Sequence, residues 1–169
     1  MKILGIDPGT GIVGWGIVKR EGTKCTPLKF GVIKTKSTDK MADRLKIIYD
    51  SISDIIKKEK PDAVAVEELF FFKNQKTIIS VAQARGAIIT AIRNSNIPVF
   101  EYTPLQIKQS ITGYGRADKA QMQEMVRITL KLKEIPHPDD AADALAVAIC
   151  HSQTNCSIVS DVVNNKKTV

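Results

Sequence analysis

Apolar and polar positions follow two different periods along this chain, and the points where the period changes mark its elements. KILGID (2–7) is an apolar run ending in an acid, which predicts a buried strand. PGTG (8–11) reads as a turn. IVGWGIVKR (12–20) alternates and predicts a second strand, hairpin-paired with the first, and CTPLKFGVIKT (25–35) a third. The period then becomes helical. Met41, Leu45, Ile48, Ile52, Ile55 and Ile56 lie on one helical face, with Thr38 or Asp39 as the expected cap and Pro61 as the stop. DAVAVEEL (62–69) predicts a strand, 76–96 a helix, IPVFEYT (97–103) a strand and PLQIKQSI (104–111) a helix begun by proline. TGYGRAD (112–118) is a glycine loop, and 119–132 predicts another helix. An alanine-rich helix follows from Pro138 to about residue 153, and beyond it the chain turns polar.

Three strands, then helices alternating with two strands, predict an α/β layered domain with a mixed sheet over residues 1–153, and a flexible tail over 154–169. Strands joined through helices should run parallel to the first by right-handed crossovers. Ligands of such sheets gather beyond the carboxyl ends of the strands.

That edge is where the acids fall. Asp7 ends the first strand, and Glu67 and Glu68 close the fourth. Alternation sends Glu67 and Glu68 to opposite faces, so one of them joins Asp7, and periodicity does not choose between them. In DDAADALA, Asp140 and Asp143 are three apart on one helical face, while Asp139 is expected to point elsewhere as a first-turn acid. Taken singly, Asp7 could serve its turn, and Asp139 and Asp140 the helix terminus. Asp143 has no cheap structural purpose inside an Ala/Leu helix. Converging carboxylates need a cation to stay ionised together. Oxygen donors without matching Cys or His select Mg²⁺, with Mn²⁺ as the substitute. Two such ions, about 4 Å apart, are the standard apparatus for phosphodiester cleavage. Asp7 would bridge them, Glu67 and Asp140 would hold one each, and Asp143 would complete the set.

Charge points the same way. Twenty-five Lys and Arg against 18 Asp and Glu give +7, which favours a polyanionic partner. Cys25, Cys150 and Cys156 have no C-x-x-C spacing, so structural zinc and a disulfide framework are not expected, and a reducing cytoplasm suits them. No apolar run is long enough for a membrane helix, and the first residues do not read as a signal peptide.

In order along the chain, GIDPGTGIVGWGIV, AVEELFFFKNQKT, QARGAI, YTPLQIKQSITGYGRADKAQM and DDAADALAVAICH resemble the RuvC family of Holliday-junction resolvases. The resemblance implies a ribonuclease-H-like three-layer fold with a mixed five-stranded sheet flanked by helices. It also implies a homodimer that nicks two like-polarity strands of a four-way DNA junction in recombination and repair, using Mg²⁺ and water, beside the RuvA–RuvB branch-migration complex. The family's catalytic and metal-holding acids fall on Asp7, Glu67, Asp140 and Asp143. His137 is a loop residue in this reading, although some members carry His where Asp140 stands. An aromatic that stacks on an opened base falls on Phe70, with Phe71 and Phe72 expected to pack. Lys73, Asn74 and Lys76 would hold neighbouring phosphates. Lys108 and Lys119 match positions near the scissile phosphate. Tyr114 and Arg116 are expected phosphate or sugar contacts, and Arg85 is assigned to helix packing or the dimer. The small-residue face of QARGAIITAI suits helix contact across a two-fold axis.

Three other readings compete. IDPGTGIVGWG also looks like the phosphate hairpin of actin-like ATPases and sugar kinases, but the second such lobe they need is missing from the sequence. A catalytically silent DNA-binding module would have no use for four acids that repel phosphate. A related nuclease acting on another nucleic acid would share every feature above.

Overall fold

The fold is described from a computed structural model that covers residues 1–69 and 78–165, with side chains through Thr154. Among the described residues there are five strands, β1 (Lys2–Asp7), β2 (Ile12–Glu21), β3 (Lys24–Lys34), β4 (Ala63–Glu67) and β5 (Val99–Tyr102). Five helices accompany them: α1 (Met41–Glu59), α2 (Ile78–Asn94), α3 (Pro104–Thr112), α4 (Lys119–Thr129) and α5 (Asp139–Asn165). The strands form one mixed sheet in the order β3-β2-β1-β4-β5. The β1–β2 and β2–β3 pairs are antiparallel, whereas β4 runs parallel to both β1 and β5, as the helical connections predict.

Strand alternation divides the core into two layers. Leu4, Ile6, Val13, Ile17, Val64 and Val66 face α1 and α2, meeting Ile48, Ile52 and Ile56 of α1 and Ala84, Ile88, Ala91 and Ile92 of α2. Ile3, Val18, Ala65 and Tyr102 face the other way, onto α3, α4 and the alanine-rich body of α5. The expected cap of α1 is corrected. Lys40 is its N-cap and no side chain caps it, because residues 36–39 close a turn of their own through Asp39 N–H to Lys36 C=O. Helix α5 also runs on to Asn165, beyond residue 153 where the sequence reading ends it. No Pro or Gly interrupts that stretch.

Helix α5 lies unusually close to the sheet, and both surfaces make this possible. On the helix side, Ala141, Ala142, Ala144 and Ala148 are buried and small. On the sheet side, a Cβ on Gly5 would overlap the Ala144 carbonyl oxygen, and one on Gly14 would overlap the Asp140 carbonyl. A Cβ on Gly16 would press into Leu145. These glycines are needed for what approaches them, since none has a positive φ. Together they clear a track across β1 and β2, and the acid-bearing first turns of α5 settle along it.

Replacing Gly5 by Ala therefore forces backbone apart. Gly5→Ala is predicted to destabilise the fold by about 3 kcal/mol and to lower the melting temperature by roughly 6–12 °C. Gly11→Ala, with no heavy atom within 4 Å of its new methyl, should melt close to the parent chain when both are followed by circular dichroism.

Candidate active site

Asp7 and Glu67 end two adjacent parallel strands, β1 and β4. Asp7 continues the Ile3–Gly5 face and Glu67 the Ala63–Ala65 face, so both project toward α5. Glu68 takes the next position, where its backbone N–H donates to Tyr102 C=O at 2.8 Å. Of the two glutamates that alternation left open, Glu67 is thus the one beside Asp7.

A cavity of about 430 Å³ opens over these two acids. Its walls include Asp143 from α5, Lys108 and Ile107 from α3, and Lys119 and Met122 from α4. Asp140, one turn before Asp143, lies close enough for its charge to act on both Asp7 and Asp143. Asp118 also lines the cavity, a fifth carboxylate that the sequence reading passed over. Its signal was the D-x-x-Q capping box: the Asp118 side chain accepts Gln121 N–H at 2.8 Å, and the Gln121 side chain accepts Asp118 N–H at 3.0 Å. That box fixes the start of α4 and so the backbone of Lys119, its first residue.

The electrostatics are those of crowded anions. Burial pushes the Asp7 carboxyl well above the usual carboxylate range, and the charges of Glu67, Asp143 and Asp140 push it further. Glu67, raised to about 7 first by burial and then by Asp143, shares a hydrogen bond with Asp7. The Lys108 ammonium opposes that rise. Burial also raises Asp143, while Lys119 pulls it back. The Lys119 Nζ stands 3.4 Å from Asp143 Oδ2 and 3.1 Å from Asp139 Oδ2. Among the described residues no three such side chains close on a single ion.

The remaining expected residues fall at different distances from this centre. Tyr114 and Arg116 are exposed in the turn between α3 and α4, and the Tyr114 hydroxyl donates to Gln121 Oε1 at 3.0 Å. Arg85 pairs with Glu101, joining α2 to β5. His137 is exposed in the turn before α5. Asp139 is a first-turn acid as expected, but it does not point away from the pair. Four residues before Asp143, it shares that residue's face and its lysine. Phe70, Lys73, Asn74 and Lys76, with Phe71 and Phe72, lie outside the described residues.

Residues 3–151 match the family model described as crossover junction endodeoxyribonuclease RuvC. The protein of that name from Ruminiclostridium cellulolyticum is 52% identical over 155 residues, covering 92% of this chain and 93% of its own. Its counterpart from Fusobacterium nucleatum is 54% identical over 151 residues, covering 89% of this chain and 80% of its own. Among solved structures, Thermus thermophilus RuvC superposes with a TM-score of 0.84 at 38% identity, covering 90% of this chain and 93% of that one. The T. thermophilus protein in complex with a Holliday junction substrate superposes at 0.82 with 36% identity, over the same shares of each chain. The yeast mitochondrial resolvase Ydc2, at 14% identity and a TM-score of 0.71, shares the fold. The mixed five-stranded sheet between helical layers is thus the ribonuclease-H-like fold expected from the sequence. With its fold and nearly its whole length in common with these proteins, the chain belongs to the RuvC family of crossover junction endodeoxyribonucleases.

Proposed function

We propose that this protein resolves four-way DNA junctions by hydrolysing one phosphodiester in each of two like strands. One observation carries the reading beyond family membership. Asp7, Glu67 and Asp143 meet in a single cavity whose other walls present Lys108 and Lys119. Acids alone would repel a phosphate, and lysines alone would only bind one. The two together suit a phosphodiester that is to be held and cut.

The donor set fits divalent magnesium, with manganese as a substitute. Among the described residues no His or Cys lines the cavity, and the Asp7–Glu67 pair could exchange its shared proton for a cation. Asp7, Glu67, Asp140 and Asp143 would hold two ions. When bound, such ions supply Lewis-acid polarisation of the phosphate and make a water molecule nucleophilic at neutral pH. The chain's own part is orientation and charge. The two strand-borne acids sit on rigid β1 and β4, so their carboxylates have little freedom to wander. Lys108 and Lys119 face the charge that builds on the phosphate oxygens. Ile107, Met122 and Ala146 line the apolar side of the cavity and limit water there.

Substrate geometry calls for two such sites, and α2 offers the surface for a homodimer. Ile79 is 72% exposed, and one and two turns further along the helix Gln83 and Gly86 are exposed as well. Nothing lies within 4 Å of a methyl built on Gly86, which leaves space for a second helix. Phe70 would stack on an unpaired base, with Lys73, Asn74, Lys76, Tyr114 and Arg116 along the backbone of the junction arms. The nuclease domain is residues 1–153, and the RuvA–RuvB branch-migration complex is the partner that family membership suggests. No described helix is long and apolar enough to cross a membrane, and the cytoplasm is the proposed location.

Nicking of a four-way junction, a plain duplex and an RNA–DNA hybrid, each with and without Mg²⁺, tests the reading. Junction cleavage that requires Mg²⁺ supports it, and preference for the hybrid replaces it with another nuclease activity. Asp7→Asn should lower junction cleavage by at least about 10³-fold while junction binding in gel shift is kept; a fully active variant would refute the assigned role. The acids also predict a pH dependence for the metal-free protein. Glu67 releases its proton near 7 in the fold but near its ordinary 4.5 once unfolded. Between those values the folded state keeps a proton that the unfolded chain has lost, so stability falls as pH rises through this window. The loss should be about 3 kcal/mol in denaturant titrations with chelator, and smaller in Glu67→Gln, where only the burial-raised Asp7 is left to contribute.

A further inference from the structure

We propose that Asp139 is a positioning residue for the reaction, holding the Lys119 ammonium at the rim of the acid cavity while Asp143 is engaged with other partners. The inference rests on the nuclease reading above and concerns a residue outside the four acids.

The observation is a fork. One ammonium, Lys119 Nζ, lies 3.1 Å from Asp139 Oδ2 and 3.4 Å from Asp143 Oδ2. The two acids are four residues apart, so they stack on one face of α5 and a single cation spans both. They are nevertheless unequal. Asp143 lines the cavity with Asp7 and Glu67, whereas Asp139 stays outside it with its side chain 51% exposed. When Asp143 turns toward a divalent ion, Lys119 loses one prong of the fork and meets a like charge. Asp139 is then the prong that remains.

The lysine itself is half prepared for the task. As the first residue of α4, directly after the Asp118 capping box, its Cα is fixed over the cavity. Its four-carbon stem is free to swing, with the side chain 57% exposed. A flexible ammonium is useful beside a phosphate only when something limits where it goes, and rotamer entropy works against that. Asp139 limits it from outside the cavity lining, and its charge is not among those that act on Asp7.

The alternative is a surface ion pair of no consequence, as many are. A mutant cycle separates the two. Single-turnover junction cleavage at saturating Mg²⁺ should fall about fivefold in Asp139→Asn, with junction affinity and melting temperature unchanged and most of the rate recovered in Asp139→Glu. In a Lys119→Gln background, Asp139→Asn should produce no further loss. A second readout does not depend on activity. With ¹³C-lysine labelling and Mg²⁺ present, the Lys119 ε-methylene signal should be displaced in the parent protein and move to the position of free lysine in Asp139→Asn. An unchanged cleavage rate in Asp139→Asn, an equal loss in both backgrounds, or an unmoved ε-methylene signal would each overturn the proposal. A parent protein that cleaves no junction with Mg²⁺ overturns the nuclease reading itself, and the proposal with it.

Discussion

Like charges held together in a poorly solvated place are the constraint around which this molecule is arranged. Asp7 and Glu67 are brought side by side by parallel pairing of β1 and β4, and α5 adds Asp140 and Asp143 from above. Such a cluster is costly when empty, which is why its protons are held so far above the ordinary range. The rest of the fold is stable enough to impose that arrangement. Two apolar layers fix the strands, and α5 passes through the centre of one of them with Leu145, Val147 and Ile149 fully buried. The acids therefore have no easy route apart. An environment that penalises uncompensated anions is also one that rewards cations, whether a lysine, a metal ion or both.

Close approach is the means by which this is done. A helix over a sheet is normally held away from it by the side chains packed between them. Here alanines on one surface face glycines on the other, and the backbone of α5 nearly touches β1 and β2. Short aspartate side chains can then reach across the gap. The same economy applies at the opposite wall, where the capping box of α4 delivers Lys119 at a defined point without bulky support. Glycine, alanine and caps thus shape the centre as much as the charged residues do.

Most of this was legible in the sequence because it follows from period and punctuation. The Ile48–Ile52–Ile56 stripe, the Pro104 helix start and the apolar strand ending in Asp7 all behave as their patterns require. The acids were readable too, since chain order and strand direction send them to one edge. What escaped depends on partners distant in sequence. Gly14 and Gly16 read as features of a hairpin strand, and only the helix lying on them reveals their purpose. Asp139 was set apart from Asp143 by too strict a reading of the helical wheel, although residues four apart are neighbours. Asp118 carried a D-x-x-Q capping signal, but that pattern says nothing of the cavity it borders, which α3 and α5 complete. The cap of α1 failed because the turn over residues 36–39 moves the helix start to Lys40, whose ammonium has no lone pair to accept a backbone N–H.

Whether the acid rim is a cation site is tested most directly by anomalous diffraction from crystals grown with Mn²⁺. The predicted result is anomalous density bounded by the carboxylates of Asp7, Glu67, Asp140 and Asp143, with the direct Asp7–Glu67 hydrogen bond gone. Density at other sites only, with Asp7 still bonded to Glu67 and Lys119 still on Asp143 at saturating Mn²⁺, would contradict it.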